Sequence, residues 1–391
     1  MQLSRLDSAD PRDVLRALRA AVLGAGPAVA LGAASGLPTD VPAGTAVVVT
    51  TSGSTGYPKS VALSRSALTS SALATTDRIG SGSWLLALPA TYVAGVQVMV
   101  RALVAGRDPA ILAGSFTAQT FTAAASAMAA SEGGHRVPTY TSLVPAQVQT
   151  LVEAGETDAA VARAFASFDA VLVGGQALPP ALADRAAALG ARIVRTYGST
   201  ETSGGCVYDG RPLEGVRLRV EDGEVQLGGP TLADGYLGDP ERTAETFVRD
   251  ADGARWYRTG DSGSVEDGVL RITGRRDNVI VSGGVNVSLD RVEQAVRALE
   301  GLEGAVVVPT RDERWGEASV VVLARRALRG RAEPDVLHDV RRVVAEAIGA
   351  PARPRELLVL DEVPMTSTGK PDRALLRRLL ADDEEPTPRG E

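Results

Sequence analysis

Between Ala46 and about Leu227 the chain alternates short β-branched or apolar runs with longer alanine-rich amphipathic segments, and few architectures accept that order. "AVVVT" precedes a helix expected to start near Ser64, "WLLALP" precedes Val93 to Ala105, "AVLVGG" precedes Pro179 to Leu189, and "ARIVRTYG" closes the series. Strand, loop and helix in repetition predict an α/β fold: a mainly parallel sheet with helices on its faces. Ligands of such sheets bind beyond the carboxyl ends of the strands. After Gly205 the texture changes to alternating strands with tight turns, signalled by Asp222-Gly223 and Asp267-Gly268. This reads as a small antiparallel β subdomain over about 207–275. Beyond Arg275, "VNVSLDRVEQAVRALEG" reads as a capped helix, "GAVVVPT", "ASVVVLARR" and "RELLVLDEVP" as strands, and "PDVLHDVRRVVAEAIG" as a second helix. Together they make a compact α+β domain of roughly 110 residues. The expected organisation is a core over 1–275, a C-terminal domain over 277–381 and a charged, proline-containing disordered tail over 382–391.

Bulk properties narrow the functional classes. At 391 residues with a mean hydropathy of +0.03, the chain is too long for one core and balanced enough to fold as two or three units. A single cysteine, Cys206, excludes an intramolecular disulfide framework and a cysteine-based metal cluster, which fits a reducing, cytoplasmic setting. The N-terminal stretch carries Arg5, Arg12, Arg16 and Arg19 among its apolar residues, so it reads as an amphipathic helix and lacks the uncharged core of a signal peptide. No window offers the ~18 uninterrupted apolar residues of a membrane span. A net charge of −7 provides no general basic field for nucleic acid, so the cationic partners of any bound polyanion must be local. Of the 41 basic residues only Lys59 and Lys370 are lysine, and both lie in glycine-containing loops. The plain reading of the arginines is nucleotide-composition bias. It makes the two lysines informative, because a compact ammonium and a planar guanidinium are not interchangeable at tight sites.

The segment "VVVTTSGSTGYPKSVALSRSAL", Val47 to Leu68, resembles a phosphate-binding loop. A Walker loop needs glycine immediately before its lysine, and Pro58 stands there without the N–H that the phosphate nest requires. Thr50, Thr51, Ser52, Ser54 and Thr55 nevertheless place hydroxyls around Gly53 and Gly56 ahead of Lys59. This segment alone leaves two readings open, a phosphate-gripping loop and a hydroxyl-rich turn.

Four further segments follow in order: "TYGSTET" from Thr196 to Thr202, "YRTGD" from Tyr257 to Asp261, "GRRDNVIVSGGVNV" from Gly274 to Val287, and "PMTSTGKPDR" from Pro364 to Arg373. With the opening loop, this set resembles the adenylate-forming superfamily of acyl-CoA synthetases, luciferases and peptide-synthetase adenylation domains. The resemblance covers nearly the whole chain, although members usually carry a longer N-terminal region. It implies a large N-terminal core and a mobile C-terminal lid, with ATP, Mg2+ and coenzyme A as reactants or cofactors. A carboxylate would attack the α-phosphate, pyrophosphate would leave, and a thiol would displace AMP from the acyl-adenylate.

The same resemblance implies residue roles. Thr51 to Gly56 and Lys59 would close over the β- and γ-phosphates; Glu201 and Thr55 would hold Mg2+, a hard cation suited to oxygen ligands. Gly174, Gly175 and Gln176 would line the adenine slot with Tyr197 stacking, and Gly198, Ser199 and Thr200 would complete that edge. Asp261 would accept the ribose hydroxyls, Arg275 would touch ribose, and Asp277 would be the hinge. Lys370 would reach the α-phosphate and attacking carboxylate during adenylation, after which Gly283 and Gly284 would face the pantetheine thiol. Plainer readings coexist: Glu201 as a helix-start carboxylate, "VGGQ" as a strand-end turn, Asp261 at a β-turn, Lys370 as a solvated charge and "SGG" as a hairpin turn.

Pro89 to Gly95 contains no acidic residue, so the aspartate with which peptide-synthetase domains hold an amino-acid ammonium is missing. Tyr92 stands where many acyl-CoA synthetases have histidine. "TSLVPAQVQTLV", "LVGGQALPPAL", "RTYGSTETSGGCVYDGRPLEGV" and "SGGVNVS" are similar to the o-succinylbenzoate–CoA ligase family of menaquinone biosynthesis, in its short actinobacterial form. That implies a small aromatic carboxylic acid substrate and a cationic or amide donor for its second carboxylate. Tyr92, Gly95, Ser142, Gln147 and Ser203 are candidate pocket residues, each polar one equally able to cap a helix. Another aryl- or acyl-CoA ligase, or an enzyme loading a carrier protein, would share every nucleotide motif. With only His135 and His338, neither beside a serine-glycine elbow, a Ser-His-Asp hydrolase has little to work with. A homodimer would cover apolar surface left by the shortened N-terminus.

Overall fold

The computed structural model describes residues 1–32, 36–51, 58–128, 131–312, 314–366 and 370–384. The chain forms two compact units: one of Met1–Leu178, Ala183–Thr259 and Val265–Arg271, the other of Pro179–Leu182, Gly260–Ser264 and Ile272–Glu391. Asp261 and Arg275, expected in the N-terminal core, group with the C-terminal unit.

The N-terminal unit holds the predicted parallel sheet. Strands Ser83–Leu86, Thr139–Leu143, Ala170–Val173 and Ile193–Ser199 run parallel, with Ala110–Ile111 beside the first. Ser83–Leu86, Thr139–Leu143 and Ala170–Val173 are buried along their whole length, as befits central strands covered on both faces. Past Ile193–Ser199 the sheet turns antiparallel through Gly204–Tyr208 and Arg211–Pro212.

A second sheet departs from the expected strand-to-helix step. Leu3–Arg5, Ala28–Leu31 and Thr45–Thr51 are parallel, but Lys59–Ser64 returns antiparallel to Thr45–Thr51 before the helix Arg65–Ile79 begins. Gly235–Tyr236 completes this sheet against Lys59–Ser64. The helix starts where anticipated because the Ser64 hydroxyl accepts the Ala67 N–H at 3.1 Å. The N-terminal helix, Pro11–Val22, is likewise capped by Asp10 and buries Val14 and Leu18.

The antiparallel subdomain follows its two turn signals. Arg217–Glu221 pairs with Glu224–Gly228, and Phe247–Arg249 with Arg255–Glu266, which also pairs with Val269–Arg275. Asp222 and Gly223 have φ of 50° and 75°, and Asp267 and Gly268 have 51° and 73°. Two successive left-handed residues match the twist of paired strands, and only Gly adopts that conformation without cost.

In the C-terminal unit, Val285–Ser288, Val279–Ser282, Gly316–Ala324 and Val306–Asp312 form an antiparallel sheet, and Glu356–Leu360 joins Gly316–Ala324 in parallel. Its valine runs alternate between two cores. Val307 and Val321 face Val292, Val296, Val336 and Val340 from helices Leu289–Arg297 and Glu333–Ala347. Val306, Val308, Val320 and Val322 face Leu376 and Leu380. The helix Arg373–Glu384 extends past the point at which the tail was expected, and residues 385–391 lie outside the described ones.

Candidate active site

Strand pairing brings three residues of the N-terminal unit together. Lys59 opens its strand opposite Thr51, Tyr236 lies on the neighbouring short strand opposite Val61, and Glu201 occupies the 3-10 turn Thr200–Thr202 after Ile193–Ser199. The Ala233 N–H donates to the Glu201 carbonyl at 2.8 Å, tying that turn to the approach to Tyr236. The Lys59 ammonium contacts Glu201 Oε1, and the Tyr236 hydroxyl donates to the same oxygen at 2.9 Å. Lys59 Nζ lies 5.1 Å from the centroid of the Tyr236 ring, within cation–π range.

The Glu201 side chain is 3% exposed, so the cluster is largely dry. Burial pushes its carboxyl up. The charge and hydrogen bond of Lys59, with the Tyr236 hydroxyl, outweigh that and hold it below the usual carboxylate range. Burial and the adjacent Glu201 carboxylate push the Tyr236 hydroxyl up, so it remains a donor. Tyr236 carried no sequence signal beyond "ADGYLGDP"; its place depends on a short strand far along the chain.

The turn presenting Glu201 is wound by its own hydroxyls. Thr202 Oγ1 accepts the Ser199 N–H at 2.9 Å and donates to the Gly204 carbonyl at 2.8 Å, while Ser203 adopts φ of 54°. A Cβ on Gly198 would stand 2.1 Å from the Gly204 carbonyl oxygen, and the strand register shifts at Tyr197/Gly198. Glycine there permits the close return of the chain. Gly174, at the carboxyl end of Ala170–Val173, is comparably confined: its Cβ would meet Thr196 Oγ1 at 2.4 Å. Gly174, Gly175, Gln176 and Tyr197 to Thr200 therefore lie at the carboxyl ends of adjacent parallel strands.

Among the acyl-pocket candidates, Tyr92 is the N-cap of helix Val93–Val104 and Ser142 is buried in strand Thr139–Leu143. Gly95 has a packing reason, since a Cβ would lie 2.2 Å from the Pro89 carbonyl oxygen. Gln147 takes the capping alternative. Its Oε1 accepts the Val144 N–H at 3.1 Å and its Nε2 donates to the Ala87 carbonyl at 2.9 Å, which commits both ends of the amide to holding the loop. Ser203 is fully buried, and its hydroxyl has no hydrogen-bond partner among the described residues.

Sequence reasoning passed over Arg101. It lies on helix Val93–Val104, is 4% exposed, and meets the Tyr208 hydroxyl at 3.2 Å and the Trp84 ring at 5.1 Å. Its Nε has no hydrogen-bond partner among the described residues. Burial lowers the pKa of this guanidinium. A buried cation is seldom retained without an anion to meet it.

Within the C-terminal unit Arg275 pairs with both predicted acidic residues. It bonds Asp277 in two-pronged fashion at 3.0 Å and 3.0 Å, and Asp261 at 3.1 Å. The hydrogen bonds to Asp277 and the two nearby carboxylates outweigh burial and raise its pKa further. Gly283 and Gly284 form a left-handed turn with φ of 57° and 81°. The Trp315 ring stands against Gly283, whereas a Cβ on Gly284 would meet nothing within 4 Å. Lys370 begins the turn into helix Arg373–Glu384, and its carbonyl accepts the Thr366 N–H at 2.7 Å. Ser52, Gly53, Ser54, Thr55 and Gly56 lie outside the described residues.

No cluster of three or more His, Cys, Asp or Glu side chains able to hold a metal occurs among the described residues. A lone, ionised Glu201 fits Mg2+ nonetheless, because that ion takes one or two carboxylates and fills its remaining positions with phosphate and water. No helix among the described residues is long and apolar enough to cross a membrane.

Residues 26–263 match the family described as AMP-binding enzyme, and residues 291–370 that described as AMP-binding enzyme C-terminal domain. A Mycobacterium tuberculosis protein named probable 2-succinylbenzoate–CoA ligase is 42% identical over 345 residues, covering 86% of this chain and 85% of the relative. A 2-succinylbenzoate–CoA ligase of Geobacillus sp. is 28% identical over 368 residues, covering 87% of this chain and 70% of its own length. Among solved structures, a variant of Escherichia coli MenE with bound OSB-AMS aligns with a TM-score of 0.70 at 26% identity, covering 90% of this chain and 72% of that one.

Proposed function

The chain belongs to the AMP-binding enzyme family, and from that premise we propose that it is an ATP-dependent 2-succinylbenzoate–CoA ligase acting in menaquinone biosynthesis. The succinyl carboxylate attacks the α-phosphorus of ATP, pyrophosphate leaves, and the coenzyme A thiol then displaces AMP from the acyl-adenylate. The observation that carries this reading is the 42% identity to a relative of that name along 86% of the chain.

The residues supply what phosphoryl transfer demands, namely charge neutralisation and positioning. Lys59 and the loop before it serve the β- and γ-phosphates. Glu201 would hold a Mg2+ ion, which when bound would neutralise phosphate charge, and Tyr236 keeps that carboxylate oriented. Because Lys59 contacts Glu201 Oε1, the carboxylate that would take the metal is already paired and does not stand as an unpaired buried charge. Gly174 to Gln176 and Tyr197 to Thr200 serve adenine; Asp261 and Arg275 serve ribose. Lys370 neutralises charge at the α-phosphate during adenylation, the C-terminal unit turns about Asp277, and Gly283 and Gly284 receive pantetheine. Tyr92, Gly95, Ser142 and Ser203 border the acyl group.

ATP–pyrophosphate exchange measured with 2-succinylbenzoate beside benzoate and medium-chain fatty acids tests the reading. Exchange with 2-succinylbenzoate should exceed that with the monocarboxylates, and coenzyme A, not a carrier protein, should accept the acyl group. Exchange confined to a monocarboxylate would reject the substrate assignment.

A further inference from the structure

A buried polar cluster in the C-terminal unit has no part in the roles above. Glu293, on helix Leu289–Arg297, is 7% exposed. Its Oε2 accepts the Val307 N–H at 2.9 Å and Arg373 Nη2 at 2.5 Å, and its Oε1 lies 2.9 Å from Arg297 Nη2. Arg373 also donates through Nη1 to the Val307 carbonyl at 2.5 Å. One carboxylate thus faces two guanidiniums and an amide beside an otherwise aliphatic core. Cohesion alone would be served as well by apolar side chains, since desolvating such a set offsets most of its attraction.

The cluster grips the chain three residues from Lys370. Asp372 donates its N–H to the Pro364 carbonyl at 2.8 Å, and its carboxylate accepts the Leu375 N–H at 3.0 Å at the start of helix Arg373–Glu384. Met365 bridges to Pro371, and Thr366 bonds Lys370 through both its N–H and its hydroxyl, at 2.7 and 3.0 Å. These rungs join the two segments flanking the lysine, and Arg373 fastens their foot to the sheet at Val307 and to Glu293. A lysine has a long flexible stem, so its ammonium is placed only as well as its backbone is held.

We propose that Glu293 is a positioning residue for adenylation: through Arg373 it fixes the backbone from which Lys370 reaches the reacting phosphate. The inference rests on the reading of Lys370 given above. The test uses the full chain carrying Glu293→Gln, Arg373→Lys or Lys370→Ala. Each variant is followed in both half-reactions, 2-succinylbenzoate-dependent ATP–pyrophosphate exchange and thioester formation from preformed adenylate. Glu293→Gln should lower the kcat of exchange on the order of 10–10²-fold, the penalty of a catalytic group displaced by a fraction of an ångström to an ångström. The KM for ATP and the rate of thioester formation should stay near wild type. Equal losses in both half-reactions, or undiminished exchange, would overturn the positioning role. If Glu293→Gln fails to fold, Arg373→Lys decides, since it keeps the charge and loses the two-pronged grip. Undiminished exchange in Lys370→Ala would sink the lysine assignment and this inference with it. A selective loss in Lys370→Ala beside a neutral Glu293→Gln would sink this inference alone.

Discussion

Glu201 concentrates the residue-scale argument, because one carboxylate answers to burial, an ammonium and a phenol at once. Its folded-state pKa lies below the ordinary 4.5, so it adds stability above that value and loses the contribution as pH falls through the folded value. Glu201→Gln should therefore flatten the acid limb of the stability curve below pH 4.5, read as urea midpoints across that range. The same variant should lower the kcat of adenylation on the order of 10²–10³-fold, the usual effect of removing one preorganised electrostatic partner. A variant with wild-type activity would show that Glu201 holds no metal. Chemistry of this kind was legible as "TYGSTET" and "GYPKS"; the Tyr236 contact was not, because a tyrosine in a turn-rich stretch has no periodicity to give it away.

At the scale of elements, close approach decides more than propensity does. Strand Ile193–Ser199 bends back through Thr200–Thr202 into Gly204–Tyr208, and the return passes so near Gly198 that no side chain fits. Gly198→Ala should force the hairpin apart and cost about 1–3 kcal/mol, as overpacking does. A thermal melt should fall by roughly 2–4 °C per kcal/mol for a unit of this size. An unchanged melting temperature would mean that the strand relaxes freely. The antiparallel strand Lys59–Ser64 belongs here too. Six residues, the apolar Val61 to Leu63 buried among them, run straight into a capped helix and carry no signal that separates them from the loop before it, and only hydrogen bonding to Thr45–Thr51 and Gly235–Tyr236 makes them a strand.

At the scale of the molecule, the proposed function draws on residues of two units. The lysine of the C-terminal unit is assigned to the first half-reaction only, so Lys370→Ala should lower pyrophosphate exchange on the order of 10²–10³-fold and spare thioester formation from preformed adenylate. A parallel fall in both would remove the two-position assignment for that unit. The units also cut across the linear boundary read from texture, because Gly260–Ser264 groups with Ile272–Glu391. A strand's texture reports which face is apolar; the compact body to which each half belongs is set by contacts between residues distant in sequence.

Local physics in the sequence determined the alternation of strands and helices, the capped helix starts at Asp10, Ser64 and Ser288, the left-handed turns at Asp222-Gly223 and Asp267-Gly268, and the two lysines. Each of these depends on side chains and dihedral preferences within a few residues. Tertiary structure alone decided that Lys59 and Tyr236 share one oxygen of Glu201, that Gln147 reaches the Ala87 carbonyl, that Arg101 is buried, and that Arg373 is fastened to Glu293. Those contacts join segments whose separation no local pattern encodes, and they form only when burial of apolar surface has brought the strands into register.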